Sequence, residues 1–133
     1  RRLPRFAQPL RVSGTAGGVF VKIVKPDDAV SFKNAENCYG TEASFDGAPL
    51  NGALITVKGR YPESGYVMNE VCAELAFVVR GSGRVCSDEE SIEFGVNDNL
   101  YLASGEKFYW EGDFDIYTIC TPAFYPEQHK EVQ

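Results

Sequence analysis

Two glutamates and a cysteine alternate in one short stretch of the chain, at Glu70, Cys72 and Glu74. Residues 71–79 are rich in apolar and β-branched side chains, which predicts a strand, and alternate side chains of a strand share one face. We therefore expect Met68, Glu70, Cys72 and Glu74 to point the same way. Buried carboxylates this close in sequence require a cation, a shared proton or an arginine to offset their desolvation.

The preceding predicted strand, residues 52–58, ends at Lys58, and Arg60 follows two residues later. Lys58 and Arg60 share a parity and could supply positive charge to the carboxylates. Aromatic and apolar side chains elsewhere could form the walls of a pocket around Glu74. The wall candidates are Tyr66, Met68, Phe108 and Trp110.

This pattern leaves three interpretations open. In the first, Glu70, Cys72 and Glu74 bind a metal in a non-standard arrangement. In the second, which we favour, the pocket has no metal or other cofactor and binds a small organic molecule, with Glu70 and Glu74 as candidate acid–base residues if the protein is an enzyme. In the third, the glutamates pair with Lys58, Arg60 or backbone amides and no ligand binds. The predicted ligand-binding residues are Arg60, Tyr66, Met68, Glu70, Cys72, Glu74, Phe108 and Trp110.

Charge and hydropathy exclude some classes of partner. The net charge is -6, yet residues 1–25 carry only basic charged side chains, so the remainder is strongly acidic. An acidic surface repels phosphate backbones, which argues against nucleic-acid binding. No apolar run approaches a membrane span and no signal-peptide core is present. We expect a cytoplasmic protein without a membrane partner, in which residues 1–18 form a flexible basic leader and residues 19–133 form the domain.

The cysteines and the single histidine give no familiar site. Cys38, Cys72, Cys86 and Cys120 are scattered without a Cys-x-x-Cys pair, and reduced, buried thiols are the expectation. His129 lies among charged residues near the end of the sequence, which predicts an exposed surface position. A cysteine–histidine nucleophile and a histidine–tyrosine pair are therefore not expected.

Short β-branched and aromatic runs with turn residues between them indicate an all-β fold. Strands are predicted over residues 19–25, 38–45, 52–58, 71–79, 84–87, 91–94, 99–103, 107–111 and 114–121. Gly81-Ser82-Gly83 is expected to make a tight reversal. Nine short strands hide their edges best in a jelly-roll barrel, a closed pair of packed sheets.

Glu74 and Gly81, with six residues between them, resemble the end of the first signature of the cupin superfamily. In that signature two histidines precede the glutamate. With a three-residue spacer their positions fall on Met68 and Glu70, and with a four-residue spacer on Val67 and Asn69. Neither pairing supplies an imidazole.

The second cupin signature lands on residues 97–112, where Gly105 matches and the position of its histidine is Phe108. The resemblance spans roughly residues 19–129. It implies a jelly-roll barrel with a degenerate metal site, in which Glu74 points inward. It makes a metal-independent isomerase, epimerase or lyase thinkable, and it implies a homodimer in which the first strand, residues 19–24, pairs with the partner's sheet.

Overall fold

The computed structural model describes residues 21–133, and nearly all of their regular structure is strand. Two three-residue 3-10 turns, Pro26–Asp28 and Pro126–Gln128, are the helical elements of this range, and neither could cross a membrane. The all-β prediction is confirmed. The strands are β1 (Val30–Ala35), β2 (Cys38–Ala43), β3 (Asn51–Tyr61), β4 (Tyr66–Asn69), β5 (Ala73–Cys86), β6 (Ser91–Phe94), β7 (Asn99–Leu102), β8 (Lys107–Thr121) and β9 (His129–Val132).

The strands form one curled antiparallel sheet around β8. This strand pairs with β3 along one edge and with β5 along the other, and its first residues pair with β4. The sheet extends outward from β3 through β2 and β1, from β5 to β6 and β7, and from β4 to β9. The result is the predicted jelly-roll barrel.

The prediction of a first strand over residues 19–25 is wrong for residues 21–25, the part of it that the structure describes. Residues 19 and 20, like the predicted leader at residues 1–18, lie outside the described residues. Residues 21–25 are not in a strand, and Val21 and Ile23 have 84% and 72% of their surface exposed. The first described strand begins at Val30. Pairing of residues 19–24 with a second subunit, and the homodimer it implies, therefore stay predictions.

The predicted reversal at Gly81-Ser82-Gly83 is also wrong, because β5 continues through it. Gly81 has φ +78°, and a Cβ there would overlap the carbonyl oxygen of Asp113 on β8. Gly83 lies opposite Gly112, so the two backbones approach closely with no side chain between them. The glycines let one strand bend around the barrel instead of ending, because glycine alone tolerates positive φ and this close approach at no steric cost.

An aromatic cluster fills the centre of the barrel. Phe94 meets Phe114 edge to face with ring centroids 4.9 Å apart, and it meets Trp110 at 5.8 Å in the same geometry. Phe108 packs against Trp110 at 5.6 Å. Such edge-to-face pairs add to the stabilisation from burying the rings. Phe108 and Trp110 also border an internal cavity, so the core forms the wall of the site described below.

Two glycines with the same φ test whether the close approach at Gly81 matters. Gly81→Ala places an alanine at positive φ and also pushes its methyl group into the backbone of β8. We expect it to lower the free energy of unfolding by about 3 kcal/mol or more. Gly47 also has φ +78°, but no neighbouring atom lies within 4 Å of the place that an alanine methyl group would take. Gly47→Ala should therefore cost only about 1 kcal/mol. Urea denaturation measures both, and equal losses would contradict the close contact between β5 and β8.

Candidate functional site

The barrel encloses a cavity of about 310 Å³ whose walls are mostly apolar. Residues from β1, β2, β3, β4, β5, β8, β9 and the segment before β9 contribute to it. The apolar wall includes Phe32, Ile55, Phe108, Trp110, Ile116 and Phe124, and the polar lining includes Asn51, Tyr61, Asn69, Glu74, Thr118 and His129. A mostly apolar cavity with a few polar groups is the usual form of a small-molecule site.

Glu74 is the buried carboxylate of this cavity. It lies near the start of β5, opposite Cys120 of β8, and only 8% of its surface is exposed. Burial raises the pKa of Glu74 to about 7, because the charged form loses its hydration. Two weaker effects oppose that rise: Asn69 Nδ2 donates to Glu74 Oε1 over 3.1 Å, and Cys120 Sγ lies 3.9 Å from the same oxygen. Glu74 therefore exchanges a proton near neutral pH.

A histidine–tyrosine pair lies in the same cavity. Tyr61, the last residue of β3, has its hydroxyl 3.0 Å from His129 Nε2, and the two rings are stacked with an interplanar angle of 7°. Burial lowers the pKa of His129, and burial with nearby Cys38 and Glu131 raises the pKa of Tyr61. Both rings are therefore neutral at pH 7.

The prediction that His129 is an exposed surface residue is wrong, and so is the expectation that no histidine–tyrosine pair exists. His129 is half-buried because β9 pairs with β4 and places its first side chain toward Tyr61. The neighbouring charges at Glu127, Lys130 and Glu131 concealed this in the sequence. No local sequence signal marks the burial of His129, because it depends on pairing with β4, which lies about 60 residues earlier.

Asn69 links Glu74 to the histidine–tyrosine pair. Its Oδ1 lies 2.8 Å from His129 Nδ1, and its Nδ2 donates to Glu74. Asn69 is the last residue of β4 and is 3% exposed. Tyr61, His129, Asn69 and Glu74 therefore form one hydrogen-bonded chain along the cavity wall.

The structure brings only some of the predicted site residues together. Glu74, Phe108 and Trp110 line the cavity. Glu70 does not: its side chain is 49% exposed and lies 3.9 Å from Lys130 Nζ. The expected common face of residues 68–74 is wrong because β4 ends at Asn69 and β5 begins at Ala73, so the alternation is interrupted by a turn.

The remaining predicted residues lie away from the cavity lining. Arg60 donates to the carbonyl oxygens of Pro62 at 2.6 Å and Gly65 at 3.0 Å, and its guanidinium lies 3.8 Å from the centroid of the Tyr109 ring. It therefore does not compensate Glu74. Tyr66 packs against Tyr109 with ring centroids 5.9 Å apart. Lys58 is exposed, Met68 is half-buried and Cys72 is buried, and none of the three lines the cavity.

The thiols of the cavity are not activated nucleophiles. Burial raises the pKa of Cys38 to about 12. A hydrogen bond with Cys72, together with burial, raises the pKa of Cys120 as well. All four cysteines are free and buried. Both cavity thiols therefore stay protonated near pH 7, and the thiolate is the reactive form of cysteine.

The residues at the metal-ligand positions of the cupin signatures do not fit a metal. Asn69 lines the cavity, which supports the four-residue spacer, and its partner position is then Val67. Val67 and Phe108 carry no donor atom, and Asn69 Oδ1 already faces His129. Within residues 21–133, no three His, Cys, Asp or Glu side chains are grouped so that they could hold a metal ion. The proposed metal set of Glu70, Cys72 and Glu74 is separated by the turn after β4.

Comparison with solved structures shows the architecture to be shared with cupin-fold proteins. Streptomyces Pac13, described as a nucleoside dehydratase, superposes with a TM-score of 0.73 at 15% identity, over 85% of this chain and 92% of that chain. Ectoine synthase from P. lautus gives a TM-score of 0.63 at 13% identity, over 86% and 91% of the chains. Bacillus subtilis oxalate decarboxylase gives 0.66 at 18% identity, and the match covers 80% of this chain and 30% of that one. No family model and no curated protein sequence matches the chain.

The raised pKa of Glu74 predicts a pH dependence of stability. The folded pKa of about 7 exceeds the ordinary 4.5, so between these values the folded protein binds a proton that the unfolded chain has released. Stability from this group is therefore full below about pH 4.5 and falls by about 3 kcal/mol as pH rises to about 7. Glu74→Gln removes this dependence. Urea denaturation from acid to alkaline pH should show the wild type and the variant diverging over that window, and parallel curves would contradict the shift.

Proposed function

Because this chain has the cupin fold, we propose that its cavity binds a small organic molecule and catalyses an acid–base reaction on it, a removal of water or an isomerisation. The observation that carries the proposal is that Glu74 and the Tyr61–His129 pair open into one cavity. A carboxyl group that titrates near pH 7 can act as a general acid or base. The tyrosine–histidine pair offers a second, separate site of proton exchange.

These groups suffice for an elimination. In the reaction we propose, the Tyr61 oxygen takes a proton from carbon while the Tyr61 proton moves to His129 Nε2. The electron pair of the broken C–H bond forms the new double bond, and the neighbouring C–O bond breaks. Protonated Glu74 gives its proton to the departing hydroxyl, which leaves as water. Glu74 then regains a proton and His129 loses one by exchange with solvent, so no oxidant or reductant is needed.

The similar small cupin Pac13 supports this class of reaction. It is described as a nucleoside dehydratase, and variants of Streptomyces PAC13 that replace a tyrosine or a histidine have been solved with uridine. A nucleoside has a flat base with apolar faces and polar edges, joined to a hydroxylated sugar, which suits a cavity with aromatic walls and a few polar side chains. A nucleoside or a similar polyhydroxylated molecule is therefore the first substrate class to test.

The charge of the lining favours an unphosphorylated ligand. Among residues 21–133 the cavity lining includes Glu42 and Glu74 and no lysine or arginine. An anionic ligand would face these two acidic side chains, in a medium of low dielectric and with no cation in the described lining to pair with it. We expect uridine to bind at least about tenfold more tightly than uridine 5′-phosphate, measured by amide chemical-shift titration. Equal affinity for the two would contradict the expected selectivity, whereas no binding by either would argue against a nucleoside site.

Matched glutamine substitutions test the acid–base assignment. Glu74→Gln and Tyr61→Phe should retain the fold and reduce turnover by about 10²- to 10⁴-fold, since each removes one proton-transfer group. Glu70→Gln makes the same chemical change on an exposed side chain outside the cavity and should leave turnover unchanged. Turnover in a nucleoside and sugar mixture is followed by liquid chromatography with mass spectrometry, as a loss of water or as a new peak of unchanged mass for an isomer. Unchanged turnover in Glu74→Gln would exclude its proposed role, and the absence of any reaction in the wild type would leave a binding or structural module.

A further inference from the structure

Gln128 holds the turn that separates the two halves of the site. Its side-chain oxygen Oε1 accepts hydrogen bonds from the backbone nitrogens of Val71 at 3.0 Å and Cys72 at 3.2 Å. Its backbone oxygen accepts from the nitrogen of Glu70 at 2.8 Å. Three successive backbone N–H groups therefore donate hydrogen bonds to Gln128, which is 2% exposed. Asn69 precedes this turn and Glu74 follows it.

These contacts determine which way the Gln128 amide points. A backbone N–H can only donate, so the atom facing Val71 and Cys72 must be the amide oxygen. The amide nitrogen Nε2 then faces Asn69, where it donates to Oδ1 over 3.3 Å. Since Oδ1 is thereby an acceptor, the other amide atom of Asn69 is the Nδ2 donor that reaches Glu74. The orientation of both amides follows from the backbone of the turn.

The same reasoning determines the proton of His129. Nδ1 lies 2.8 Å from Asn69 Oδ1, which is an acceptor, so Nδ1 must carry the hydrogen. The opposite tautomer would place two lone pairs against each other. In a neutral ring the lone pair is then on Nε2, 3.0 Å from the Tyr61 hydroxyl. Tyr61 therefore donates to His129, and its oxygen remains able to accept a proton from a ligand.

We infer that Gln128 is a positioning residue, which through Asn69 holds His129 in the Nδ1–H tautomer so that Nε2 can take the proton of Tyr61. Its effect on turnover rests on the proposed function. Gln128 does not line the cavity and acts only through Asn69. The assignment gives a reason for this buried glutamine, since both polar atoms of its side chain have partners, in the backbone of the turn and at Asn69.

Nitrogen-15 NMR of the imidazole tests this tautomer directly and needs no substrate. In the wild type at a pH where His129 is neutral, we expect the protonated-type nitrogen shift at Nδ1 and the lone-pair shift at Nε2. A predominant Nε2–H tautomer would overturn the inference. This measurement on the intact protein decides the question even where a variant does not fold.

Gln128→Met then tests the cause. It keeps the length of the side chain and removes both hydrogen-bonding groups, so Asn69 is free to rotate and a mixture of the two tautomers should appear. Thr118→Val is the control, because Thr118 is also buried and lines the cavity, but its hydroxyl donates to the carbonyl oxygen of Ala53 and not to Asn69 or His129. It should keep the wild-type tautomer. A folded Gln128→Met protein that retains a pure Nδ1–H form would overturn the role of Gln128.

Turnover separates this inference from the proposed function. Once a substrate is known, Gln128→Met should lower kcat roughly 100-fold with little change in KM, because the chain is misaligned while the cavity walls are intact. A correct tautomer in a protein without any turnover would defeat the proposed function alone. An Nε2–H tautomer in an active enzyme would defeat the inference and the proton step from Tyr61 to His129, while binding in the cavity and the acid–base role of Glu74 would stand.

Discussion

The pairing of β8 with β3 on one side and β5 on the other is the constraint on which the site depends. Both partners are long, and β5 continues past Gly81 and Gly83 because no side chain separates it from β8 there. A sheet curled in this way brings the end of β3 and the start of β5 to one cavity. Tyr61 and Glu74, remote along the strands, thereby open into the same 310 Å³ space.

A carboxylate buried in such a space destabilises the fold, and its surroundings offset this only in part. Asn69 and Cys120 are neutral donors, and the described lining has no lysine or arginine. An apolar side chain at position 74 would avoid the desolvation altogether. A polar group that costs stability and sits in a cavity is typical of a functional site, where activity and stability make opposing demands.

The sequence allowed the barrel and part of the site to be predicted. Glu74 was placed in the barrel by the spacing of the cupin signature, and Phe108 and Trp110 were identified as aromatic side chains that could form its walls. Glu70 and Cys72 were misplaced because strand alternation was continued across a turn. That turn depends on Gln128, which is far away in sequence, so no local pattern reveals it. His129 was missed for the same reason, since its burial depends on a four-residue strand pairing with β4.

β9 lies at an edge of the sheet, so the hydrogen-bonded chain of Tyr61, His129, Asn69 and Glu74 can break while the barrel stays folded. This strand pairs only with the equally short β4 among the described strands, whereas β3 and β5 each pair with β8 over most of their length. Short edge elements open locally at far lower free energy than a protein's centre. The imidazole and the glutamine beside it can thus leave together in a brief fraying event, with the aromatic centre still closed. Any reaction in this cavity would be interrupted by a motion too small to register as unfolding.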